Sequence, residues 1–585
     1  MAKIFRVDME TLQISSQKTP GEYEKVGGRA FASMVIGKEV YPACHPLGKH
    51  NKLILAPGLL GGTGVPSSGR LSVAAKSPLT ETINEANVGG TAASYLGRLG
   101  VKAIIIEGLP REGELYLLKM NKEGLKVIPA NEYKGLGNYE LVQRLRKVHG
   151  DGISVISIGP AGDMKMAAAS VAVTDQQGRP SHHAGRGGMG AVMGSKGVKA
   201  IIIDNPGAQR IELKDKEAFS KANSRLIEIL TRESPMINGL HSSGTPQVIE
   251  VANMMGSLPT KNRRYGSFDK VERITSGMME KLIKERGGRL GGHACMPGCL
   301  GGCAVDFVDK DGEYLTSALE FETITLLGAN LEIDDIDAIA TMDYLCDDFG
   351  LDTIEMGNAL AVAAEAGIMD FGDPSRAVEL IKEVGKGTIL GRILGQGAVV
   401  TGKVFGITRV PAVKGLGFPA WEPRAFNGAG VTYATSPQGS DHTCGYSQAD
   451  PQGIEGQAKR SRDAQVSIIA MCDSPGFCFF PWHLAGIPVH EYIFQLISAQ
   501  YGFEFSQEEA LNIGKEVLKI EKTFNEEAGF SKGADRLPEF ILEEPLPPHN
   551  SIFNVPKEEI DKVFDFGPET EITPMGPISL PEKGE

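Results

Sequence analysis

Two textures of apolar patterning divide the chain near residue 210. Before it, apolar residues come in short runs: Leu53–Ala56, Glu114–Met120, Ile153–Ile158 and Ala168–Val173 read as strands, as do two runs of Val-Lys-Ala-Ile-Ile-Ile. Those two belong to a repeat. Gly97-Arg-Leu-Gly-Val-Lys-Ala-Ile-Ile-Ile-Glu107 recurs as Gly194-Ser-Lys-Gly-Val-Lys-Ala-Ile-Ile-Ile-Asp204, 97 residues on. The same offset lays Asn87-Val-Gly-Gly90 over Ala184-Gly-Arg-Gly187. Each copy reads as a Gly-rich loop, a short helix of small residues and a buried strand. Residues 1–210 are expected to form a mostly β domain of two related halves.

Beyond 210 the apolar positions recur at helical spacing, as in Lys214–Thr231, Asp335–Phe349, Asp352–Ala366 and Gln507–Phe524. Ile336, Ile339, Ala340 and Leu345 make one such face. Two largely helical domains are expected, 211–414 and 415–585, divided near Lys414. The tail beyond 543, with Pro545, Pro547, Pro548 and Pro556, is expected to wrap a surface or a partner. The fold class is therefore α+β. A second repeat lies here: Cys346-Asp-Asp-Phe-Gly-Leu-Asp352 aligns with Cys472-Asp-Ser-Pro-Gly-Phe-Cys478, 126 residues on. Gly350 and Gly476 are placed to end helices in left-handed geometry, which leaves each aspartate beside exposed backbone.

Paired Gly-rich loops suggest one ligand with two similar ends, since such loops offer backbone groups to phosphates or to a phosphate-bound cation. Gly185-Arg-Gly187-Gly-Met-Gly190 matches G-x-G-x-x-G, but the polar stretch Gln176–His183 before it is no strand, so it is not read as a dinucleotide fingerprint. Glycine is abundant, 73 of 585 residues, so some glycines must sit where backbone approaches backbone or ligand. The net charge of −13 argues against non-specific nucleic-acid binding. The N-terminal sequence lacks a signal-peptide core and no apolar run is long enough to span a bilayer, so a cytoplasmic protein is expected.

Three of the eight cysteines fall in His293-Ala-Cys295-Met-Pro-Gly-Cys299-Leu-Gly-Gly-Cys303. Thiolates so close, on a backbone that glycine lets curl, can converge on one metal centre, either a 4Fe–4S cluster or zinc. A fourth cysteine must come from elsewhere. Cys478 is the first candidate and Cys472 its rival. Cys44, Cys346, Cys444 and Cys472 are expected to be buried or lone thiols. His182, His183, His483 and His490 are expected in loops or at the surface, and His293 is expected to donate a hydrogen bond to a cluster sulfur.

Taken together, these motifs resemble the aldehyde:ferredoxin oxidoreductase family of tungsten bis-pterin enzymes, over nearly the whole length. The resemblance is carried by Arg70 with Lys76-Ser-Pro-Leu-Thr80, Asn87-x-Gly-Gly, Ala184-Gly-Arg-Gly-Gly188, Met193-Gly-Ser-Lys196 and the cysteine run. It continues through Glu320-Phe-Glu-Thr323, Asp347-x-x-Gly-Leu-Asp352, Lys414-Gly, Pro423-Arg424, Tyr433-Ala-Thr-Ser436, His442 and Asp473-x-x-Gly-x-Cys478.

The resemblance implies a tungsten (or molybdenum) bis-pterin between the β domain and the helical domains, gripped by Asp347, Gly350, Leu351 and Asp352 on one pterin. Asp473, Gly476, Phe477 and Cys478 would grip the other. It implies phosphate contacts from Gly89, His183, Gly185, Arg186 and Gly187, and Mg²⁺ on the Asn87 and Ala184 carbonyls. It implies a 4Fe–4S cluster on Cys295, Cys299, Cys303 and Cys478, with Arg70 between cluster and pterin. Glu322 would be the base, its pKa raised by the apolar Ile324–Leu327 segment, with Glu320 the competing choice. His442, oriented by Asp441, would polarise the aldehyde carbonyl. Ferredoxin, or Fe–S and flavin subunits in a heteromeric complex, would take the electrons.

Four departures accompany the resemblance. The cysteine run is C-x3-C-x3-C where the best-known archaeal members have C-x2-C-x3-C, which suggests a bacterial-type branch. His183 stands in place of an arginine, Phe321 in place of a tyrosine, and Thr341 in place of a glutamate that holds a dimer-bridging metal. Two other readings fit parts of the pattern: a unit of a benzoyl-CoA reductase-like complex, with Cys444 on the metal, and a pterin-free Fe–S electron-transfer subunit.

Overall fold

The computed structural model describes residues 2–206, 208, 211–317, 319–445 and 450–576. The first half of the β domain contains β1 (Lys3–Asp8), β2 (Gln13–Lys18), β3 (Leu53–Pro57), β4 (Leu71–Lys76), β5 (Ile83–Val88) and β6 (Val101–Glu107). They form one sheet in the order β2-β1-β6-β3-β4-β5. The second half contains β7 (Tyr116–Asn121), β8 (Gly124–Pro129), β9 (Ser154–Ser157), β10 (Val171–Val173), β11 (His182–Ala184) and β12 (Val198–Ile203). Their order, β8-β7-β12-β9-β10-β11, is the same topology again.

In each sheet the sixth strand runs parallel to the first and antiparallel to the third. Even an irregularity is copied: the parallel ladder skips Lys102 in β6 and Lys199 in β12, the same residue of the repeat. Helices α1 (Gly28–Glu39), α2 (Ala92–Arg98), α3 (Asn138–His149) and α4 (Met189–Ser195) occupy matching connections in pairs, α1 with α3 and α2 with α4.

The layers explain why β6 and β12 are unbroken apolar runs. Ile104 and Ile106 of β6, with Ile201 and Ile203 of β12, enter one core shared by the two halves. Their alternate neighbours face outward onto helices: Ala103 and Ile105 join Phe31 and Val35 of α1, and Ala200 and Ile202 join Leu141 and Leu145 of α3. A strand buried on both faces has no polar alternation to show.

In the helical part, Asp335 caps α5 (Ile336–Phe349) and Asp352 caps α6 (Thr353–Glu365), each carboxylate accepting from backbone N–H groups of the first turn. Helix α7 (Gln457–Ile468) runs on as a π-turn to Asp473, and α8 (Gln507–Glu527) packs beside it. Gly350 ends α5 at φ +70°, whereas Gly476 (φ +76°) lies three residues past the π-turn. The proline-rich tail wraps this chain's own helices. Phe553 and Val555 enter a core with Phe418 and Tyr433, and the N–H of Met575 donates to Ser467 at 2.9 Å. Among the described residues no helix is long and apolar enough to cross a membrane.

Candidate active site

The two Asp-x-x-Gly corners dock on the two β halves through the same contacts. Gly58, just after β3, comes so close to Gly476 that a Cβ there would fall 2.1 Å from the Gly476 nitrogen. At Gly159, just after β9, a Cβ would fall 2.3 Å from the Phe349 carbonyl carbon. The residue before β4 in one half and β10 in the other then donates to the corner glycine: Arg70 N–H to the Gly476 carbonyl at 3.2 Å, Ser170 N–H to the Gly350 carbonyl at 2.9 Å. The last motif residue is tied likewise. Cys478 N–H donates to the Ser67 carbonyl at 2.8 Å, and Asp352 N–H donates to the Ala168 carbonyl at 3.0 Å. Leu351 and Phe477 close the two turns with N–H bonds to the carbonyls of Cys346 and Cys472.

Each motif aspartate also meets the second residue of the matching helix. Arg29 of α1 reaches Asp473 at 3.3 Å, and the Tyr139 hydroxyl of α3 lies 3.4 Å from Asp347. The grip is symmetric in backbone but not in charge. Arg29 is buried and also pairs with Glu521 through two bonds of 2.9 and 2.7 Å. Burial pushes the Asp473 carboxyl up to about 6, with Arg29 opposing. Asp347 has no arginine beside it, and burial raises its carboxyl well above the usual range despite Tyr139 and Thr316.

The Gly-rich loops meet where β5 and β11 run close together. Asn87 pairs with Ser72, the second residue of β4, and Ala184 with Val171, the first of β10, so the two sit one residue apart in register on matching edge strands. The Arg70 guanidinium donates to the Asn87 carbonyl at 3.0 Å and to its side-chain oxygen. Gly187 (φ +72°) lies against β5, where a Cβ would come within 2.1 Å of Asn84 Oδ1, and its carbonyl accepts from Ser77 at 2.7 Å. Gly185 is open, with only Asp352 Oδ1 at 4.0 Å. Arg186 is buried and bound to protein: to Asp352 at 3.4 Å, to the Ser440 carbonyl at 2.9 Å and to the Gly417 carbonyl. His183 lies beneath the surface, 2.7 Å from Ser170 and 3.2 Å from Asp347, and burial lowers its pKa to about 4. It is therefore a neutral ring at pH 7, unlike the arginine it replaces.

Cys295, Cys299, Cys303 and Cys478 converge around Arg70, and none is in a disulfide. Cys472, the rival fourth ligand, turns instead into the large core with Phe31 and Val466. A Cβ on Gly89 would fall 2.8 Å from Cys295 Sγ, so only glycine admits the thiols here. Burial and mutual crowding raise the Cys303 thiol well above its ordinary range and push Cys478 up to about 11. Cys299, which accepts from Cys295 and from the N–H groups of Gly302 and Gly301, is held down to about 6. Four crowded thiols resist ionising together unless a cation compensates them. That donor set fits a 4Fe–4S cluster or a tetrahedral metal.

Beside this centre the helix Phe321–Leu327 separates the two candidate carboxylates. Glu320 faces the cysteines, its Oε1 3.8 Å from Cys303 Sγ. Glu322 faces His442, 3.8 Å from Nε2, and accepts from the Ala420 N–H. Ile324, Leu326 and Leu327 turn away into the helical core, so the setting of Glu322 is polar and not the apolar one the sequence suggested. Asp441 lies 3.4 Å from His442 Nδ1 and is fixed by the Thr443 N–H and hydroxyl at 2.9 Å each. Burial works against charge on His442, but Glu322 and Asp441 outweigh it and its pKa is raised.

Several side chains differ from expectation. His182, His483 and His490 are buried, and His293 turns to Asp175 and Asp306, 3.1 and 3.3 Å away, and not to a sulfur. A polar imidazole buried inside the fold looks, in sequence, like one in a loop. Arg29 and Tyr139 were missed. They lie 110 residues apart on helices without shared sequence, and only the glycine before each helix, Gly27 and Gly137, hinted at them.

Comparison with known proteins follows this geometry. Residues 4–205 match the family model for the aldehyde ferredoxin oxidoreductase N-terminal domain, and residues 222–565 that for domains 2 and 3. The tungsten-containing aldehyde ferredoxin oxidoreductase of Pyrococcus horikoshii is 31% identical over 577 residues, 93% of this chain and 92% of that protein. An aliphatic sulfonate oxidoreductase, WOR-like subunit, of Pyrococcus furiosus is 27% identical, covering 85% of this chain and 81% of its own. Among solved structures, the active site complex BamBC of benzoyl coenzyme A reductase superposes with a TM-score of 0.78 at 20% identity, over 96% of this chain and 93% of that one. That last likeness is one of fold. With both family models matched across nearly its full length, the chain belongs to the aldehyde ferredoxin oxidoreductase family.

Proposed function

We propose that this chain is the catalytic unit of a tungsten or molybdenum bis-pterin oxidoreductase that converts aldehydes to carboxylic acids. The observation that carries the reading is the duplicated grip: two helix-end corners held in matching ways by two β halves suit a ligand with two similar ends. The names of the curated relatives support tungsten. In this reading residues 1–210 would hold the pterin phosphates, with the Asn87 and Ala184 carbonyls offered to Mg²⁺ and room left at the open Gly185, while Gly89 and Gly187 let the thiols and β5 come close. Residues 211–414 and 415–585 each grip one pterin, through Asp347 to Asp352 and through Asp473 to Cys478. Arg186 positions Asp352, and His183 offers a neutral hydrogen bond.

Oxidation of an aldehyde takes one oxygen from water and releases two protons and two electrons. The bound cofactor supplies the electron sink. The side chains do the rest. Glu322 takes a proton from water or from the hydrated aldehyde. His442, with the Asp441 carboxylate 3.4 Å from its Nδ1, donates from Nε2 to the carbonyl oxygen and polarises it. Cys295, Cys299, Cys303 and Cys478, which surround Arg70, would hold a 4Fe–4S cluster; that cluster would supply one-electron transfer toward ferredoxin or Fe–S and flavin subunits.

The ring-reducing alternative typically places a cysteine on the metal; Cys444, the candidate beside His442, has its thiol buried, 3.1 Å from the Ser436 hydroxyl and 4.0 Å from Arg29. The paired corners have no task in a pterin-free subunit. The test is an anaerobic assay of protein produced with tungstate. The proposal predicts viologen reduction that depends on a simple aldehyde. Turnover only with an aromatic coenzyme A thioester would overturn it.

A further inference from the structure

The turn between β10 and β11 carries a cluster of metal-ligating groups outside this machinery. Asp175 in the turn and His182 on β11 face His293, and one ligand atom of each lies within 4.8 Å of the other two. The three residues are only 2%, 8% and 7% exposed. Asp175 Oδ2, His182 Nε2 and His293 Nε2 are all buried without a hydrogen-bond partner. The two closest, Nε2 of His293 and Oδ2 of Asp175, are 3.1 Å apart but are not aligned as a hydrogen bond. Buried polar atoms rarely go unsatisfied, and three of them in one place mark a missing partner.

The surroundings hold these groups in place. The other Asp175 oxygen accepts from the N–H groups of Gln177 and Arg179, at 2.8 Å each. Asp306 sits 3.3 Å from His293 Nδ1, with its second oxygen on Arg179 at 3.0 Å. That facing oxygen, Asp306 Oδ1, is also buried without an aligned hydrogen bond, and it stands where the carboxylate supporting a metal-ligating histidine would.

We propose that Asp175, His182 and His293 bind one borderline divalent ion, Zn²⁺ or Fe²⁺. Two imidazoles with one carboxylate suit these ions, whereas Mg²⁺ and Ca²⁺ prefer sites built from oxygen. The ion pins the cysteine loop to the β domain. Gln176 in the same turn already bonds the Ala294 and Met296 carbonyls at 3.2 Å each. This site is separate from the four thiols and stands or falls independently of the aldehyde reading.

The test is anomalous diffraction from crystals of the full chain, above and below the zinc and iron edges, with elemental analysis after addition of micromolar ZnSO4. The expected result is a peak amid the three side chains at one of the two edges, which names the ion. His182→Gln and Asp175→Asn should each lose about one equivalent of that metal while the remaining iron stays. Should either variant misfold, the wild-type peak decides alone. No peak at either edge after zinc addition, or unchanged metal content in folded variants, overturns the site.

Discussion

At the scale of single residues, Glu322 and His442 lie 3.8 Å apart, and in the proposed reading they act as a pair that shares a charge environment. Glu322→Gln removes the proton acceptor but keeps the shape. Turnover should fall by about 10²–10⁴-fold with metal content unchanged, as read by steady-state kinetics beside elemental analysis. Asp441→Asn tests the histidine. Glu322 and Asp441 raise the His442 pKa, so the imidazolium persists to higher pH than in a free histidine. Without the Asp441 charge that pKa drops, and the alkaline limb of the kcat/KM profile moves to lower pH. An unmoved limb would remove His442 from the chemistry. The resemblance named Glu322 ahead of Glu320; that the two face different centres, His442 and Cys303, was not legible in sequence, because two positions at a helix start diverge only once the helix is placed. Arg29 and Tyr139 make a second contrast. Arg29→Met strands Glu521, only 1% exposed, and should lower stability by about 3–5 kcal/mol. Tyr139→Phe, at the matching position, should cost about 1 kcal/mol. Denaturant unfolding compares the two.

At the scale of elements, the corners depend on backbone touching backbone. Gly58→Ala drives a methyl into Gly476, and Gly159→Ala drives one into Phe349. Each should cost about 3 kcal/mol or more and lower cofactor content. Gly152→Ala, where a Cβ meets nothing, is the control. Pterin content of the three purified variants checks this. The repeat was readable in β6 and β12 because both are buried on two faces and bulge at the same lysine, which leaves little choice of residue. It was unreadable in α1 and α3, since each helix packs against a different core and only its glycine start is constrained. The second corner, where Gly476 was expected to end a helix, is a π-turn followed by a tight loop in which Gly476 is left-handed. Apolar spacing does not separate a π-turn from the last turn of an α-helix.

At the scale of the whole molecule, one topology is used twice, and the Gly-rich loops of the two copies meet where β5 and β11 run close together. Symmetry fails at two places. One corner ends in the carboxylate of Asp352 and the other in the thiol of Cys478. One aspartate faces a tyrosine and the other an arginine. In the proposed reading the arginine-lined side carries both a pterin and the cluster, so electrons leave on that side only. The division into a β part and a helical part was legible from the change of apolar period near 210. The meeting of β5 with β11 was foreshadowed by the shared offset that lays Asn87 over Ala184, because equivalent strands of a duplicated sheet come to the same edge of each copy. The stoichiometry of the anaerobically purified protein tests the duplicated grip most directly. The account predicts two pterins for each tungsten or molybdenum atom, together with cluster iron. A single pterin per metal atom, or iron with no pterin at all, would contradict it.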